Sequence, residues 1–237
     1  MRIAIISDVH GNVRALEAVL ADVRARGPFD EIVNGGDLAL GGPRPRETMD
    51  ALRALGYPTV VGNTDQWLFG GLDGLDAPPP LHPIRDWGRR RLGSGDLAYL
   101  RALPMSYRIE PAGGPPLVIV HATPTSTVVS VNPDAPPDML AAMLDQAQTR
   151  YLAYGHIHKA YVREVRDGAV VNVGSVGLPF DGVAKPAWAL LTLLDGRWQA
   201  EIVRVPYDTE AVARDLLESD HPAAATFASR VRTARVD

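Results

Sequence analysis

Short apolar runs alternate with helical patterns in the first part of the chain. The segment Arg2–Ser7 is apolar and rich in β-branched residues, which predicts a buried β-strand. Apolar residues then recur at helical spacing from Val13 to Arg26, and Gly27 and Pro28 end that pattern. The alternation continues with a predicted strand at Glu31–Asn34, a helix at Glu47–Leu55 and a strand at Pro58–Val61. Strands that alternate with helices indicate parallel βαβ units, which bind ligands at the carboxyl ends of their strands.

Residues 66–103 interrupt this alternation. Trp67, Leu68 and Phe69 precede the Gly/Pro-rich stretch "GGLDGLDAPPP", and two helical patterns follow at about 82–92 and 95–102. We interpret this segment as a helical insertion near the mouth of a site. The pattern fits a single domain over residues 1–237, a length that can bury a sizeable core.

The pattern after the insertion indicates strands that pair locally. Turn residues at Asp167–Gly168 and Asp195–Gly196 each separate two strand-like runs, which predicts two hairpins. Asp208 and Asp220 are predicted to cap two closing helices. The other predicted elements are strands at 106–109, 117–120 and 151–154 and a helix at about 138–148.

Composition and charge narrow the classes of function. The net charge of −4 gives no overall basic field, so we expect no stable partnership with nucleic acid or with a membrane. The chain has no cysteine, so any metal ligands must be His, Asp, Glu or Asn. The longest apolar run, "AWALLTLL", is too short to cross a bilayer, and Met1 leads directly into the first strand. We therefore expect a cytoplasmic protein, with its oligomeric state left open.

Side chains of the types that bind metals follow the predicted strands at five places. They are Asp8 with His10, then Asp37, then Asn63, then His121, and finally His156 with His158. Divalent cations such as Mn²⁺, Fe²⁺ or Zn²⁺ accept this mixture of carboxylate, imidazole and carbonyl oxygen. Gly36, Gly62 and Gly155 each precede a candidate ligand, and we expect them to allow tight turns of the backbone.

The motifs "DVH", "GGD", "GNTD", "VIVH" and "GHIH", in this order, resemble those of the calcineurin-like metallophosphoesterases. The resemblance runs from Arg2 to about Lys185, and the later "NVGSVGLPFDG" is similar to a loop of the small prokaryotic phosphodiesterase-like branch. It implies a four-layer α/β/β/α sandwich, in which helices flank two mixed β-sheets.

The resemblance also implies two metal ions that share one carboxylate. One ion would be held by Asp8, His10, Asp37 and His158, and the other by Asp37, Asn63, His121 and His156. Mn²⁺ is the favoured metal, with Fe, Zn, Ni or Mg as alternatives. Two such ions lower the pKa of a shared water, and the resulting hydroxide would attack a small phosphate-ester substrate. Asp37 would bridge the ions.

Thr64 departs from the family pattern, which has histidine after the Gly-Asn pair. A threonine hydroxyl can donate to a phosphoryl oxygen, but it is no general acid at neutral pH. Small phosphodiesterase-like members commonly lack this histidine, so the resemblance favours hydrolysis of phosphodiesters over monoesters. The candidate catalytic residues are Asp37, Asn63, Thr64 and His121.

Three other functions are compatible with the sequence. The chain could be a phosphomonoesterase of the same fold, a phosphate-ligand sensor with low turnover, or a scaffold. A retromer subunit of this fold has lost part of its ligand set and retains partner binding, whereas all seven ligand positions are chemically intact here. An intact ligand set favours an enzyme.

Several residues outside these motifs are weaker candidates. Arg44 and Arg46 follow the Asp37 turn closely enough for a substrate contact to be plausible. Trp67 and Phe69 could stack on a base, although packing in a core or lid is at least as plausible. Ser175 lacks the glycine pattern of a nucleophile elbow, so we interpret it as part of a loop near the site.

Overall fold

The computed structural model of the protein describes residues 1–70 and 81–236. The predicted Gly/Pro-rich stretch falls almost entirely outside the described residues. The strands are β1 Arg2–Ile6, β2 Glu31–Asn34, β3 Ser106–Ile109, β4 Leu117–Val120, β5 Tyr151–Tyr154, β6 Tyr161–Val165, β7 Gly168–Asn172, β8 Ala187–Leu194 and β9 Arg197–Arg204. The helices are α1 Val13–Arg26, α2 Pro45–Leu55, α3 Asn63–Gly70, α4 Leu81–Arg91, α5 Ser94–Ala102, α6 Pro137–Gln146, α7 Thr209–Glu218 and α8 Ala224–Thr233.

The strands form two mixed sheets. One sheet has the order β2-β1-β8-β9 and the other β3-β4-β5-β7-β6. β1 pairs in parallel with β2, and β5 pairs in parallel with both β4 and β7, whereas the two predicted hairpins, β6–β7 and β8–β9, are antiparallel. The parallel strands therefore direct their carboxyl ends to one edge of the structure.

Alternation of side chains along the strands produces the layers. Ile3 and Ile5 of β1 lie in a buried cluster between the sheets, together with Leu117 and Ile119 of β4. The intervening β1 residues pack outward, as does Val118 of β4. One outer cluster joins the first sheet to α1, α2, α7 and α8, and the other joins the second sheet to α6. The predicted four-layer sandwich is confirmed.

The helices of the predicted insertion join the outer layer of the first sheet. Leu68 of α3, Ile84 of α4 and Leu100 of α5 lie in the same buried cluster as residues of α1 and α8. This packing brings α3 and α4 toward the carboxyl end of β1. Within the described ranges, no helix has both the length and the apolar character needed to span a membrane.

Two local predictions are wrong. The segment Pro58–Val61 is not a strand, because it makes only one parallel bridge, between Asn34 and Thr59, before the Val61 N–H pairs with the carbonyl of Pro104 at 2.8 Å. The last helix begins at Ala224 and has no side-chain cap. Asp220 does not cap it, since its carboxylate accepts a hydrogen bond from Trp87 Nε1 at 2.9 Å and pairs with Arg91.

Candidate metal centre

The predicted ligands converge at the carboxyl ends of strands from both sheets. Asp8 and His10 follow β1, Asp37 follows β2, Asn63 begins α3, His121 follows β4, and His156 and His158 follow β5. All but His156 are buried. The structure thus brings together side chains that are as far apart in sequence as Asp8 and His158.

Four of these side chains form a first group. Asp8, His10, Asp37 and His158 each place one ligand atom within 4.8 Å of the others. Asp8 Oδ1 lies 3.2 Å from His158 Nε2 and 3.8 Å from His10 Nε2. A cation surrounded by these atoms would have two carboxylate and two imidazole ligands, a set that suits divalent transition metals.

A second group lies on the other side of Asp37. Asn63 Oδ1 is 2.9 Å from His121 Nε2 and 3.0 Å from His156 Nδ1. Asp37 Oδ2 lies 3.5 Å from His10 Nε2 and 3.6 Å from His121 Nε2, so one carboxylate oxygen faces both groups. This division is the one that the family resemblance implies; the role of each residue as a ligand stays a prediction.

Hydrogen bonds to the backbone fix the orientation of three of the imidazoles. His10, His121 and His158 each place Nδ1 against a carbonyl oxygen. The acceptors are the carbonyls of Leu40, Gly35 and Leu178, at 2.6, 2.8 and 2.5 Å respectively. A neutral ring that donates from Nδ1 has its lone pair on Nε2, and second-shell bonds of this kind are usual for metal-binding histidines.

The contact between His10 and His158 tests whether a cation fits. Their Nε2 atoms lie 3.0 Å apart, and both face inward. Burial lowers the pKa of His10, so that ring is neutral at pH 7. Because both Nδ1 atoms are engaged with carbonyls, the Nε2 atoms are the ones that face inward, and a divalent cation between them would bind both rings. The residues present therefore fit a bound metal.

Burial and neighbouring charges shift the pKa values of the candidate ligands in different directions. Burial raises the pKa of the Asp8 carboxyl, but the charge and hydrogen bond of His158 outweigh it and hold the pKa below its ordinary value. Burial lowers the pKa of His121, but Asp37 and Asp8 outweigh it and raise the pKa. Burial lowers the pKa of His156 to about 4, so His156 is neutral at pH 7. Ionised Asp8 and neutral His156 are therefore in forms that bind cations, whereas a protonated His121 would have to release its proton on binding a metal.

Backbone strain is concentrated at the same residues. Within the described ranges nine non-glycine residues have positive φ, and five of them are predicted ligands. These five are Asp8, His10, Asp37, His156 and His158, with φ between 50° and 66°. A left-handed conformation costs an L-residue about 1–2 kcal/mol. Strain of this kind is typical of functional sites, where it holds side chains in a fixed arrangement.

The glycines before the ligands act mainly by leaving space. Gly36 has a φ of 93° and makes the predicted tight turn. Gly62 and Gly155 do not have positive φ, so neither needs the left-handed conformation that favours glycine. A Cβ at Gly62 would overlap the carboxylate of Asp37, and one at Gly155 would overlap that of Asp8. These two glycines let a carboxylate approach the backbone of a neighbouring loop.

Comparison with known proteins decides the family. A family model, the calcineurin-like phosphoesterase superfamily domain, matches residues 1–196. The chain belongs to this superfamily. A metallophosphoesterase from Sphaerobacter thermophilus is similar over 99% of both chains, with 28% identity and a TM-score of 0.78. The family resemblance that the motifs indicate is confirmed, and the superfamily is one of phosphoesterases, which are hydrolases.

Two further relatives extend the likeness along the whole chain. An uncharacterised protein of Methanocaldococcus jannaschii is 28% identical over 236 residues, which cover 93% of each chain. A hypothetical protein from Pyrococcus horikoshii has a TM-score of 0.84 over 97% of this chain and 98% of its own, and its 21% identity shows the fold alone.

Asp65 belongs to the candidate metal centre but was not among the residues predicted from the sequence. Its buried carboxylate accepts hydrogen bonds from the N–H groups of Asp37, Leu38 and Gly62 at 2.9, 3.0 and 2.9 Å. Burial, together with the charge of Asp37, raises its pKa to about 7. Its place at the end of "GNTD" was a signal that could have identified it. Asp65 ties the Asp37 loop to the start of α3.

The weaker candidates separate into those near the centre and those away from it. Ser175 is near it, because its hydroxyl donates to the Asp8 carbonyl at 2.8 Å. Trp67 lines a cavity beside the centre. Arg44 pairs with Asp215 at 3.0 Å, and Arg46 pairs with Asp50 and Asp96. Phe69 packs against the outer cluster beneath Arg101.

Two recesses of different character flank the candidate metal centre. The charged groove, of ≈ 610 Å³, is open and is lined by His156, Ser130, Lys159 and Arg235 among others. Lys159 and Arg235 form no ion pair with a described residue. The apolar cavity, of ≈ 200 Å³, lies against His10 and His158. Phe180 lines both recesses.

Proposed function

We propose that this chain is a dinuclear, metal-dependent phosphodiesterase. The observation that carries the proposal is the position of Asp37 Oδ2, at 3.5 and 3.6 Å from imidazole nitrogens of two separate ligand groups. An oxygen in that position suits a carboxylate that bridges two cations. Membership of the superfamily and the intact set of seven candidate ligands support the same conclusion.

Each ligand group has a defined part in this proposal. Asp8, His10 and His158 would hold one ion and Asn63, His121 and His156 the other, with Asp37 shared. When bound, two divalent cations lower the pKa of water and withdraw electron density from phosphoryl oxygens. The carbonyl partners of the imidazoles hold the rings in place, so little reorganisation is needed during the reaction.

Thr64 and the two recesses favour a diester over a monoester. A diester has two ester groups, and the centre has one recess on each side to receive them. Thr64 lines the apolar cavity, and its hydroxyl can donate to a phosphoryl oxygen. It does not replace the general acid that a poor leaving group requires. These features suit a small diester whose leaving group departs without a proton from a histidine.

Replacement of metals tests the proposal directly. The protein is stripped with a chelator and supplied with Mn²⁺, Ni²⁺, Zn²⁺ or Mg²⁺, and hydrolysis of an aryl diester is compared with that of an aryl monoester. We expect diester hydrolysis to return with a transition metal, Mn²⁺ above all, with two ions bound per chain. Full turnover in the metal-free protein contradicts the proposal, and faster monoester hydrolysis identifies a phosphatase instead.

Asp37→Asn tests the bridge. It is expected to lose at least one ion and nearly all turnover, because a neutral amide cannot serve two cations as a carboxylate does. Asp50→Asn, an exposed change on α2, is the matched control and should retain both ions. A fully metallated and active Asp37→Asn protein excludes the site. If the unaltered protein binds both ions but hydrolyses no ester, a sensor or scaffold is indicated instead.

A further inference from the structure

One wall of the apolar cavity is made by the proposed ligands themselves. His10 and His158 line it, and Phe180 stacks on His158 with ring centroids 4.5 Å apart and 17° between the ring planes. The stacked ring gives the cavity a flat aromatic surface directly beside the first ligand group. A substituent of a phosphoryl group at the centre therefore has this cavity within reach.

Three helices build the opposite wall. α3 contributes Trp67, α4 contributes Leu81 and Ile84, and α8 contributes Phe227. None of the described residues that line the cavity has a carboxylate. Arg230 of α8 also lines the cavity, so a cation would lose its hydration there without a partner and would face a like charge. The lining therefore disfavours a cation, and its mainly apolar side chains suit an apolar group.

The size of the cavity suits a single ring system. It holds ≈ 200 Å³, whereas pockets for complete drug-sized ligands hold about 300–1,000 Å³. An engineered apolar cavity of about 150 Å³ binds benzene. The cavity therefore fits one single or fused ring and leaves the remainder of the substrate outside.

Two buried donors belong to residues of the same cavity. Thr64 Oγ1 and Trp67 Nε1 have no hydrogen-bond partner among the described residues. Buried donors are nearly always paired in folded proteins. If either side chain turns toward the cavity, an occupant with an acceptor atom on its ring or on its ester group would give it a partner, which a pure hydrocarbon would not.

We propose that the apolar cavity binds an aromatic ring carried by one ester group of the substrate, which makes the substrate an aryl or nucleoside phosphodiester. This assignment rests on the proposed function, because it places the ring relative to the metal centre. The ring packs between Phe180 and the residues of α4 and α8, and the phosphoryl group faces the ligand groups.

Two pairs of ligands test for the ring without any turnover. Phenylphosphonate and methylphosphonate share one metal-binding head, as do AMP and ribose 5-phosphate. In the Mn²⁺-loaded protein, calorimetry should show the ring-bearing member of at least one pair binding about tenfold more tightly or better. Tighter binding of phenylphosphonate than of methylphosphonate identifies an aryl ester. Tighter binding of AMP than of ribose 5-phosphate, without a preference in the first pair, identifies a nucleoside. Equal affinities within both pairs overturn the proposal.

Variants of the cavity locate the ring. Leu81→Phe fills the cavity, and Phe227→Ala removes part of its wall, so each should reduce the preference to about twofold. Two cavity variants are used so that the test still stands if one of them fails to fold. Leu217→Phe, at a site on α7 that is 50% exposed, is the control and should retain the preference. A preference that persists in both cavity variants places the ring elsewhere.

Metal content and aryl diester turnover are measured on the same samples. If the protein holds its ions and hydrolyses the diester, yet binds both members of each pair equally, only the ring site is refuted. If it neither holds Mn²⁺ nor hydrolyses the diester, the proposed function is refuted as well. The two failures are therefore distinguishable.

Discussion

Asp65 accepts a hydrogen bond from the backbone N–H of Asp37 at 2.9 Å, so a buried carboxylate on α3 holds the residue proposed to bridge two ions. The same carboxylate also accepts from Leu38 and Gly62. All three donors are backbone groups at the carboxyl end of β2 and at the start of α3. The position of the Asp37 side chain thus depends on a residue that need not touch the metal.

Asp65→Asn is therefore expected to weaken both the fold and the metal centre. The amide has one acceptor oxygen, and its NH₂ group would face a backbone N–H, so at least one buried donor loses its partner. We expect the free energy of unfolding in chelator to fall by about 2–3 kcal/mol, as measured by urea denaturation. Calorimetry with Mn²⁺ should show weaker binding.

Asp50→Asn is the matched control for this effect. Asp50 is exposed on α2 and pairs with Arg46 at 3.2 Å, four residues away. Its replacement should change stability by no more than about 0.5 kcal/mol. Equal effects of the two substitutions would show that the three backbone hydrogen bonds of Asp65 contribute no more to stability than an exposed ion pair does.

The elements that the sequence predicts well are those in which local pattern and tertiary environment agree. Ile3 and Ile5 alternate with Ala4 and Ile6, and the two faces of β1 pack on different clusters as a period of two requires. The polar turn after this strand marks the site, because ligands lie at the carboxyl ends of parallel strands.

The elements that the sequence predicts poorly depend on partners that are distant in sequence. The parallel pairing at Pro58–Val61 stops because the Val61 N–H donates to the carbonyl of Pro104 instead of to a strand. Asp220 is a good cap by residue type, but Trp87 and Arg91 of α4 engage its carboxylate. No pattern in the sequence shows either contact.

The left-handed conformation of His156 leads to a prediction on stability. Its φ is 66°, a conformation that glycine adopts without steric cost. In chelator, where no ligand role contributes, His156→Gly should be about 1 kcal/mol more stable than His156→Ala. Thermal or urea denaturation of the two variants measures the difference.

A position inside a helix provides a control at which glycine should be less stable than alanine. Ala21 is exposed in α1, and Ala21→Gly there should lower stability by about 1 kcal/mol. A His156→Ala protein as stable as the glycine variant would mean that the backbone at this ligand is not strained.

His221 makes stability depend on pH below neutrality. Its ring packs against Trp87 and Phe227, with centroids 4.7 and 5.0 Å away, and its Nδ1 accepts from the Ala223 N–H at 3.1 Å. Burial, with a further contribution from Arg91, lowers its pKa to about 4. The folded chain therefore retains a neutral ring where the unfolded chain takes up a proton.

The pKa of histidine in an unfolded chain is about 6.5. Above that pH His221 therefore makes its full contribution to the free energy of unfolding. As the pH falls from about 6.5 to about 4, its contribution declines by up to about 1.4 kcal/mol per pH unit. His221→Gln should flatten the pH dependence of the unfolding free energy in this window, while exposed His82→Gln on α4 should not. Identical slopes in wild type and His221→Gln would contradict this account.

Thr64→His tests whether the missing proton donor limits turnover. The backbone N–H of Thr64 donates to Asp37 Oδ1 at 2.9 Å, and that bond does not depend on the side chain. A histidine here should accelerate hydrolysis of diesters with poor leaving groups by about 10²-fold or more, with little gain for p-nitrophenyl esters. Thr64→Asn, which is polar but cannot donate a proton as an acid, should show no gain. Equal or lower rates in Thr64→His, with metal content unchanged, would show that proton donation to the leaving group does not limit this enzyme.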